Sequence, residues 1–504
     1  MSNHYKIIVP FYNVQDWIDK CVKSIKLQDY ENYECYLIDD ISTDKTSEII
    51  SELIKGDTRF HHIINKEKKY ALRNIYEAIE ESGNSDEDII VTLDGDDWFA
   101  TKKALSTLNQ KYNDNGCHIT YGSYIEFPSM IKGKFCQNIP SEIIKNRSYR
   151  RYRWVSSHLR TFKRHLWNKI KRKDLLDDDG SFYRMTWDMA FMFPMLEIAG
   201  PMSLHIPDIL YSYNRENPLN DDKVNHSLQL ATEHKIRNKE PYQQNFVTCN
   251  ILGPSGELSG IGNQLFCVAT TLSYAYSNKA VAYFPQLATD KYIKKYRQIF
   301  YKNLSIGNSD ISQKIYMEPE FNYKKIEDQG TNVKLHGYFQ SEKYFKNDRE
   351  KILSVLDIEN LKKMVKDKYG DYTNYTSIHV RRGDYLKLSD YHHNLTIDYY
   401  KSAINNFDLN QNFLVFSNDI DWCKENFKFL KNVEFSECVE DWEDIILMST
   451  CKNNIIANSS FSWWGAWLNE NPDKKVFCPN KWFGPKYSKK DTSDIIPADW
   501  TIIT

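Results

Sequence analysis

The sequence has no excess of charge of either sign. Its 504 residues include 66 Lys and Arg against 68 Asp and Glu, a formal net charge of −2 at pH 7. A chain so balanced has no general attraction for nucleic acid or for an anionic membrane surface. We therefore expect no nucleic-acid partner, and any anion must be held by a local group of residues.

Cysteine pairs and long apolar runs are also absent. The ten cysteines form no C-x-x-C pair, so neither a zinc site nor a thioredoxin-like motif is indicated, and we interpret them as reduced, packed thiols. No run of about 18 apolar residues occurs, so we expect no integral membrane segment. The opening MSNHYKIIVPFYN has no features of a secretory signal, which predicts a cytoplasmic location.

The length of the chain favours more than one domain. A single core rarely exceeds about 250 to 300 residues, and this chain has 504. A polar stretch precedes a second series of strand-like and helix-like segments that starts at FVTCNIL, residues 246–252. We therefore expect one domain over residues 1–240 and another over 241–504.

Both predicted domains alternate strands with helices. In the first, residues 5–13, 33–40, 59–65 and 87–97 are strand-like, and 14–28, 44–54 and 69–82 are helix-like. In the second, strand-like segments lie at 246–252, 374–380, 412–418, 432–437, 453–459 and 474–480. This alternation predicts α/β domains with parallel, doubly wound sheets, whose ligands bind at the carboxyl ends of the strands.

Three acids follow an apolar strand in IVTLDGDDWF, residues 90–99. Asp94, Asp96 and Asp97 would repel one another and lose solvation there, a costly arrangement unless a cation lies among them. Mg²⁺ or Mn²⁺ prefers a few carboxylates together with diphosphate oxygens, and Gly95 would let a ligand approach the backbone. The alternative is an acidic turn or a helix N-cap.

The ordered segments IIVPFYN, LIDDISTD and LDGDDW resemble the family-2 glycosyltransferases, which are inverting nucleotide-sugar enzymes of the GT-A fold. The resemblance covers about residues 5–215. It implies that Asp39 and Asp40 hold the nucleotide base, and that Asp94 and Asp96 bind the ribose and a metal ion, Mg²⁺ or Mn²⁺.

A lone acid, Asp188, heads the apolar segment MTWDMAFMFPMLEIAG, residues 185–200. It is similar to the family's late Glu-Asp motif, with Trp187 in place of the usual Glu. The resemblance implies that Asp188 is the general base that takes the proton of the acceptor hydroxyl. The alternative is a carboxylate that opposes the helix dipole.

The most basic stretch of the chain is residues 145–173. Nucleic-acid binding is one interpretation of such a run, but basic runs are usually solvated faces, and the acidic DLLDDD follows directly. We expect a structural helix, with His158 and Arg160 facing a diphosphate.

In the second half, SGIGNQLF places Gly260, Gly262 and Asn263 before a helix-like segment. Such a loop presents backbone N–H groups to an anion or a sugar, or is simply a tight turn. It lacks the third glycine of a dinucleotide fingerprint, which argues against an NAD-dependent oxidoreductase.

Two adjacent arginines end a strand-like run in SIHVRRGDYL, residues 377–386. Guanidinium groups match phosphate oxygens in two-point fashion, so Arg381 and Arg382 suggest a leaving diphosphate neutralised without a metal. The alternative is a surface ion pair between Arg382 and Asp384.

A third motif, NNIIANSSFSWWGAWLN, residues 453–469, puts serines at the start of a helix. Free N–H donors there favour a phosphate near Ser459, Ser460 and Ser462. We interpret the tryptophans at 463, 464 and 467 as core residues rather than a platform for sugars.

Together, GIGNQLF, HVRRGDY, FSNDIDWCKENF and NSSFSWWGAWLN resemble the alpha-1,2-fucosyltransferases of family 11 over about residues 246–490. The resemblance implies a GT-B fold of two Rossmann-like halves, GDP-fucose as donor, inversion, and no cofactor. Arg381 and Arg382 match the family's diphosphate-contacting pair, and His379 and Asp384 belong to the same donor motif. SGIG replaces the usual Gly-Gly-Leu-Gly, which would alter the fit of the acceptor.

We therefore expect a bifunctional glycosyltransferase. The first domain would transfer a hexose from a nucleotide-sugar, by default a UDP-hexose, and the second would add L-fucose in alpha-1,2 linkage to a galactoside-like glycan. Fusing consecutive steps raises the local concentration of the intermediate. The alternative is that one domain alone is active and the other is a carbohydrate-binding or scaffold module.

Overall fold

The structure is a computed structural model that describes residues 2–218, 223, 225–408 and 410–504, except for the side chains of residues 257 and 258. The chain forms two compact units. One runs to Gln244 and includes Ser305–Ile311, and the other comprises Asn245–Leu304 and Ser312–Thr504.

The first unit is built on one mixed sheet. Its strands are β1 (Tyr5–Phe11), β2 (Tyr33–Asp39), β3 (Phe60–Ile64), β4 (Ile89–Thr92), β5 (Trp98–Phe99), β6 (Ile119–Phe127), β7 (Ile131–Lys132), β8 (Arg160–Lys163) and β9 (Ser203–Asn214). The order is β3-β2-β1-β4-β8-β6-β9-β5, with β7 paired to β6. Strands β1 to β4 are parallel, as the alternation predicts, and β8 then pairs antiparallel to β4.

The helices of the first unit cover this sheet. They are Ile18–Lys26, Thr46–Leu53, Tyr70–Glu81, Ala104–Asn115, Ser141–Lys145, Arg164–Trp167, Trp187–Ala199 and His226–Arg237. All seven residues of β1 are buried, which fits a central strand covered on both faces. The predicted order of the first four strands and three helices is therefore confirmed.

The basic stretch 145–173 differs from the prediction of a helix. It contains a 3-10 turn, Tyr149–Arg151, and a short α-helix, Arg164–Trp167, and it contributes β8 to the sheet. Arg160 begins this strand and is 2% exposed, so part of the basic run is buried rather than solvated. Because the stretch is rich in basic residues, a search for apolar periodicity does not detect this strand.

The second unit contains two parallel sheets. The first has the order β11-β10-β13-β12 and the second β16-β15-β14-β17-β18-β19. The strands are β10 (Phe246–Cys249), β11 (Val281–Ala282), β12 (Lys314–Met317), β13 (Val333–His336), β14 (Tyr375–Val380), β15 (Asn412–Ser417), β16 (Val433–Phe435), β17 (Asn453–Ile455), β18 (Val476–Pro479) and β19 (Thr501–Ile503). Two parallel sheets confirm the expected pair of Rossmann-like halves.

The helices of the second unit connect these parallel strands. They are Ile261–Ser277, Gln286–Thr289, Lys291–Lys294, Arg349–Val355, Ile358–Tyr369, Gly383–Lys387, Ile397–Ile404, Ile420–Asn426, Asp441–Thr450 and Ser460–Trp467. The tryptophans 463, 464 and 467 are at most 3% exposed, which confirms their interpretation as core residues.

All ten cysteines are free thiols, and nine of them are buried. Within the described ranges, no helix combines the length and the apolar character that crossing a membrane requires.

Candidate functional site

The first acid at the end of β2 supports the local backbone. Asp39 is 1% exposed, and its carboxylate accepts a 2.6 Å hydrogen bond from the Ser42 N–H and another from the Ser47 hydroxyl. Asp39 thus holds the turn that leads into helix Thr46–Leu53. Among the described residues, the cavity at this sheet edge is lined by Asp40 and not by Asp39.

Asp40 fixes the start of the next helix while lining that cavity, whose volume is about 440 Å³. Its carboxylate accepts hydrogen bonds from the N–H groups of Lys69 at 2.8 Å and Tyr70 at 2.9 Å, and from the Asn65 amide at 2.9 Å. Burial acts to raise the pKa of Asp40, but these hydrogen bonds outweigh it and leave the pKa below its ordinary value. Asp40 is therefore a preorganised anion at the cavity wall.

Asp94 and Asp96 line the same cavity, beyond the end of β4. Burial raises the pKa of Asp94 to about 6, with Asp96 and Asp188 adding to the shift and Arg160 opposing it. Burial also raises the pKa of Asp96, whose carboxylate accepts a 2.7 Å hydrogen bond from the Asn217 amide. The negative charge of this pair is thus poorly compensated by the protein itself.

The third acid of the cluster points the other way. Asp97 is 1% exposed and accepts hydrogen bonds from the Tyr211 hydroxyl at 2.5 Å and the Asn214 N–H at 2.7 Å. Both partners lie on β9, so Asp97 ties the acidic loop to the far side of the sheet. This arrangement leaves Asp94 and Asp96 as the two acids of the cluster that line the cavity.

The close packing around residue 95 explains why a glycine is needed there, and the sequence alone does not reveal this. A Cβ atom at this position would lie 2.4 Å from Cβ of Phe11. Contacts that short do not occur between real side chains, so the glycine lets the acidic loop pack directly on the end of β1.

Asp188 lies in the first turn of helix Trp187–Ala199, as both interpretations of the sequence require. Its Oδ2 atom accepts a 3.1 Å hydrogen bond from Nη1 of the buried Arg160. The Nε of Arg160 is buried and has no hydrogen-bond partner among the described residues. Arg160 therefore orients Asp188 through Nη1, and its Nε–H group is a buried donor that these residues leave unpaired.

A second cavity of about 720 Å³ contains Asp188 on its wall. Asp94, Trp187 and Tyr213 line both this cavity and the smaller one, so the two cavities adjoin at these side chains. His158 also lines the larger cavity, and burial together with Arg160 lowers its pKa well below the usual value. Its imidazole is thus neutral and stacks on Tyr211 with ring centroids 4.4 Å apart.

A metal ion at this site needs ligands beyond the protein. Among the described residues, no group of three or more His, Cys, Asp and Glu side chains is arranged to hold one. The two carboxylates of Asp94 and Asp96 nevertheless fit Mg²⁺ or Mn²⁺, which accepts one or two carboxylates when substrate phosphates supply further oxygens. A cation would also offset the burial that raises the pKa values of both acids, and the repulsion by Asp96 that adds to the shift of Asp94.

In the second unit, a cavity of about 820 Å³ brings together several predicted residues. His379, Arg381, Asp384, Ser459 and Ser460 all line it. Arg381 donates a 2.9 Å hydrogen bond to Asp384, whereas its Nε is buried without a partner among the described residues. Burial and Arg381 together lower the pKa of His379 to about 3, so this imidazole is neutral.

The neighbouring arginine is held elsewhere. Arg382 donates a 3.0 Å hydrogen bond to Asp419, and its guanidinium carbon lies 4.1 Å from the centroid of the Trp422 ring. The described residues that line the 820 Å³ cavity include Arg381 and not Arg382. The ion pair considered for Arg382 and Asp384 is formed by Arg381 instead.

The three serines also separate into two groups. Ser459 and Ser460 line the cavity at the N-terminus of helix Ser460–Trp467, and Ser459 caps that helix by accepting from the Phe461 N–H. Ser462 is fully buried, and its hydroxyl lies 3.4 Å from the carbonyl oxygens of Ala457 and Ser459. Ser462 thus stabilises the helix start and does not line the cavity.

The glycine loop brings the two halves of the second unit into contact. A Cβ atom on Gly262 would lie 2.5 to 2.7 Å from backbone atoms of Ser460 and Phe461. Only a residue without a side chain allows helix Ile261–Ser277 to approach the serine loop this closely. Gly260 meets no such neighbour, since a Cβ atom added there would have nothing within 4 Å.

The sequence analysis missed two acids on the wall of this cavity, Asp441 and Asp444. Burial raises the pKa of Asp444 to about 6, and its carboxylate accepts a 2.6 Å hydrogen bond from the Ser436 hydroxyl. Their signal in the sequence is the acidic first turn of helix Asp441–Thr450, which is indistinguishable from an ordinary favourable helix start.

Comparison with known proteins finds one family match in each half of the chain. Glycosyl transferase family 2 matches residues 6–180, and glycosyl transferase family 11 matches residues 280–504. The O-antigen biosynthesis glycosyltransferase WbnK of Escherichia coli is 35% identical over 229 residues, which are 42% of this chain and 76% of that protein. An alpha-1,2-colitosyltransferase of Escherichia coli is 35% identical over 193 residues, 34% of this chain and 63% of that protein.

Two solved structures are similar at low identity. S. aureus TarS 1-349 in complex with UDP-GlcNAc is 13% identical, covers 54% of this chain and 73% of its own, and has a TM-score of 0.33. The mannosyltransferase PcManGT from Pyrobaculum calidifontis with GDP-Man and Mn²⁺ is 16% identical, with coverages of 48% and 66% and a TM-score of 0.34. These TM-scores are too low to support a conclusion about this chain.

The two family matches agree with the parallel strands found in both units and with the motif residues that line the cavities. The chain is a glycosyltransferase, with a first part that matches glycosyl transferase family 2 and a second part that matches glycosyl transferase family 11.

Proposed function

We propose that this chain catalyses two successive glycosyl transfers. The first domain transfers a hexose from a nucleotide-sugar, with a UDP-hexose as the default donor. The second transfers L-fucose from GDP-fucose, in alpha-1,2 linkage, to a galactoside-like glycan. The observation that supports this most is that each family motif lies on a cavity at the carboxyl ends of parallel strands, where such sheets bind ligands.

In the first domain, Asp40 and the neighbouring wall of the 440 Å³ cavity would receive the nucleotide, with Asp39 holding the turn behind them. Asp94 and Asp96 would hold a divalent cation. That ion supplies Lewis-acid stabilisation of the diphosphate as it leaves. Asp97 serves only to anchor the loop.

The acceptor of the first transfer fits the adjoining 720 Å³ cavity, where Asp188 lies. Asp188 would accept the proton of the attacking hydroxyl as general base. Arg160 orients its carboxylate through the 3.1 Å hydrogen bond. Trp187, on the wall of both cavities, would exclude water from the place where the two substrates meet.

In the second domain, the leaving diphosphate would be neutralised by the protein alone. Arg381 and the free N–H groups at the start of helix Ser460–Trp467 face one cavity, and Asp384 orients the guanidinium. Of the two arginines, Arg381 is the better placed for direct contact. Arg382, held by Asp419 and Trp422, would support the loop and the rim of the site.

A donor screen on the full chain tests the proposal. Radiolabelled GDP-fucose and several UDP-hexoses are offered with galactoside acceptors, with and without EDTA. We expect transfer from both kinds of donor, with only the hexose transfer sensitive to EDTA. The proposal that only the first domain needs a divalent metal is contradicted if EDTA abolishes both transfers, or if it leaves hexose transfer intact.

A second candidate donor for the family-11 domain is nucleotide-linked colitose. The relative named alpha-1,2-colitosyltransferase, 35% identical over 193 residues, favours it. Colitose differs from fucose by the lack of one hydroxyl group. An assay in which the two nucleotide-sugars compete would rank them by kcat/KM. A kcat/KM higher for colitose would reassign the donor and leave the linkage proposal in place.

We also propose that both reactions take place in the cytoplasm. All ten thiols are free and nine are buried, as expected for a protein folded in a reducing compartment. Fractionation of cells that express the full chain tests this location.

A further inference from the structure

A second cavity of the family-11 domain adjoins the one that contains Arg381. Its volume is about 560 Å³, and it shares Phe321, Tyr338 and Lys490 with the first cavity. It lies where β12 and β13 end, the edge of a parallel sheet at which ligands bind. Neither the fucosyltransferase motifs nor the proposed contacts with the diphosphate involve its remaining wall.

One carboxylate on that wall is held in a fixed position. Glu318 follows β12 directly, and its two carboxylate oxygens accept hydrogen bonds from the N–H groups of Tyr338 at 2.7 Å and Phe339 at 3.0 Å. A carboxylate oxygen has more than one lone pair, so both oxygens can still accept from a ligand. Glu318 is therefore an oriented acceptor at the cavity surface.

The loop after β13 provides the room for this carboxylate. A Cβ atom on Gly337 would lie 2.4 Å from Cβ of Glu318 and 2.6 Å from its Oε2. Phe339 adopts a left-handed backbone conformation with φ of 52°, which a bulky residue rarely does. A glycine and a strained aromatic residue thus shape the loop around Glu318.

The rest of the wall has the composition of a sugar site. Phe321 and Tyr338 offer aromatic faces to the apolar C–H side of a pyranose, and polar groups beside them suit its hydroxyls. Among these, the Asn322 Oδ1 atom is buried and lacks a hydrogen-bond partner among the described residues. Such an acceptor costs free energy until a donor, such as a sugar hydroxyl, reaches it.

We propose that this cavity binds the acceptor glycan and that Glu318 takes the proton of the attacking hydroxyl. The inference rests on the fucosyl transfer proposed above. The hydroxyl oxygen bonds to the anomeric carbon, and the bond from that carbon to the diphosphate breaks with its electron pair on the diphosphate. The hydroxyl proton passes to a Glu318 oxygen and is then released to solvent, so that atoms and charge balance.

The charges around Glu318 suit a base that works near neutrality. Burial raises its pKa to about 7, against the opposing effects of the two N–H groups and of Lys490. Burial lowers the pKa of Lys490 itself, whose ammonium lies 4.1 Å from the Tyr487 ring centroid. The other titratable groups that face Glu318 have raised pKa values and are neutral, namely Cys267, Tyr316, Tyr338 and Tyr344. The remaining titratable side chains on the cavity wall are those of His336, Glu320, Lys489 and Asp491.

The test compares Glu318→Gln, Glu318→Asp and wild type in the full chain. GDP-fucose affinity is measured by calorimetry, and kcat for transfer to a galactoside is measured from about pH 5.5 to about pH 9, on either side of the expected pKa. We expect Glu318→Gln to lower kcat by about 10² to 10⁴, which is the usual range for the loss of a general base. The affinity for GDP-fucose should not change. Glu350→Gln, on the exposed face of helix Arg349–Val355, is the matched control and should behave as wild type.

The pH profile separates a base from a structural carboxylate. The base acts only when deprotonated, so the wild-type kcat should rise as pH rises through about 7 and then level off. Glu318→Asp should keep this rising limb at a lower kcat, whereas Glu318→Gln should lose it.

Two results overturn the inference. One is a rising limb that persists in Glu318→Gln, and the other is a fall in donor affinity that parallels the fall in kcat, which would mean that Glu318 only shapes the loop. Failure of the fucosyl transfer itself is recognised separately, because wild type would then neither bind GDP-fucose nor transfer from it.

Discussion

The two domains differ in the charge of the motif residues that line their cavities, acidic at Asp94 and Asp96 in the first and basic at Arg381 in the second. In the family-2 domain, Asp94 and Asp96 face the cavity and burial raises their pKa values, so this site is short of positive charge. In the family-11 domain, Arg381 and a helix N-terminus already provide it. Under the proposed functions, a leaving diphosphate would be accommodated by acids that recruit a cation in one domain and by cations built into the chain in the other. The two sites should therefore respond to different perturbations.

Removal of divalent metal should separate the domains most strongly. EDTA should reduce hexose transfer below detection, because the proposed ligands Asp94 and Asp96 repel a diphosphate without a cation between them. Fucosyl transfer by the same sample should not change. Both rates are measured on one preparation, and Mn²⁺ in excess of EDTA should restore the first.

Asp188→Asn should be nearly as severe for the first domain. Loss of the general base should lower kcat for hexose transfer by about 10² to 10⁴, while the amide preserves the shape of the side chain. Fucosyl transfer serves as an internal control for folding. Asp114→Asn, at a position on helix Ala104–Asn115 outside both cavities of this domain, should leave both rates intact. Equal rates of hexose transfer in Asp188→Asn and wild type would instead favour the alternative, in which Asp188 only opposes the helix dipole.

Substitutions of Arg381 and Arg382 test whether the positive charge of the second domain supports fucosyl transfer. Arg381→Ala should lower kcat for fucosyl transfer by about 10² to 10³, the usual cost of removing a donor that faces developing charge. Arg382→Ala should cost about ten-fold, because its guanidinium is paired with Asp419 and lies on Trp422. Steady-state kinetics of both variants decide the order, and a larger loss in Arg382→Ala would contradict this placement.

Gly262→Ala should give the smallest effect, and mainly on stability. The added methyl would overlap the backbone of Ser460, and such overpacking costs about 1 to 3 kcal/mol. Thermal unfolding of the full chain should show a lower transition for the second domain only. Gly260→Ala, with no atom within 4 Å of the new Cβ, is the matched substitution and should shift that transition less.

Much of the fold follows from the sequence because buried parallel strands leave short apolar runs between amphipathic helices. Strand β1 and its neighbours are predictable within a few residues for this reason, and the acids at their ends follow from the edge at which ligands bind. Strand β8 escapes prediction because its first residue, Arg160, is a buried cation that pairs with Asp188 across the fold.

The orientation of adjacent residues could not be predicted from the motifs. Asp97 turns away from Asp94 and Asp96 because Tyr211 and Asn214, which are distant in the sequence, supply its hydrogen bonds. Arg382 turns away from Arg381 because Asp419 and Trp422 attract it. Such choices depend on contacts made by distant segments, which the local sequence does not encode.

The indole of Trp187 has a consequence for the size of the substrates. This side chain lines both the 440 Å³ and the 720 Å³ cavity. Under the proposed function, its bulk would set how far the sugar ring in one cavity must reach to meet the ring in the other. A smaller residue there would merge the chambers into one trough, loosen the alignment of the partners and open the reacting centre to hydrolysis by water.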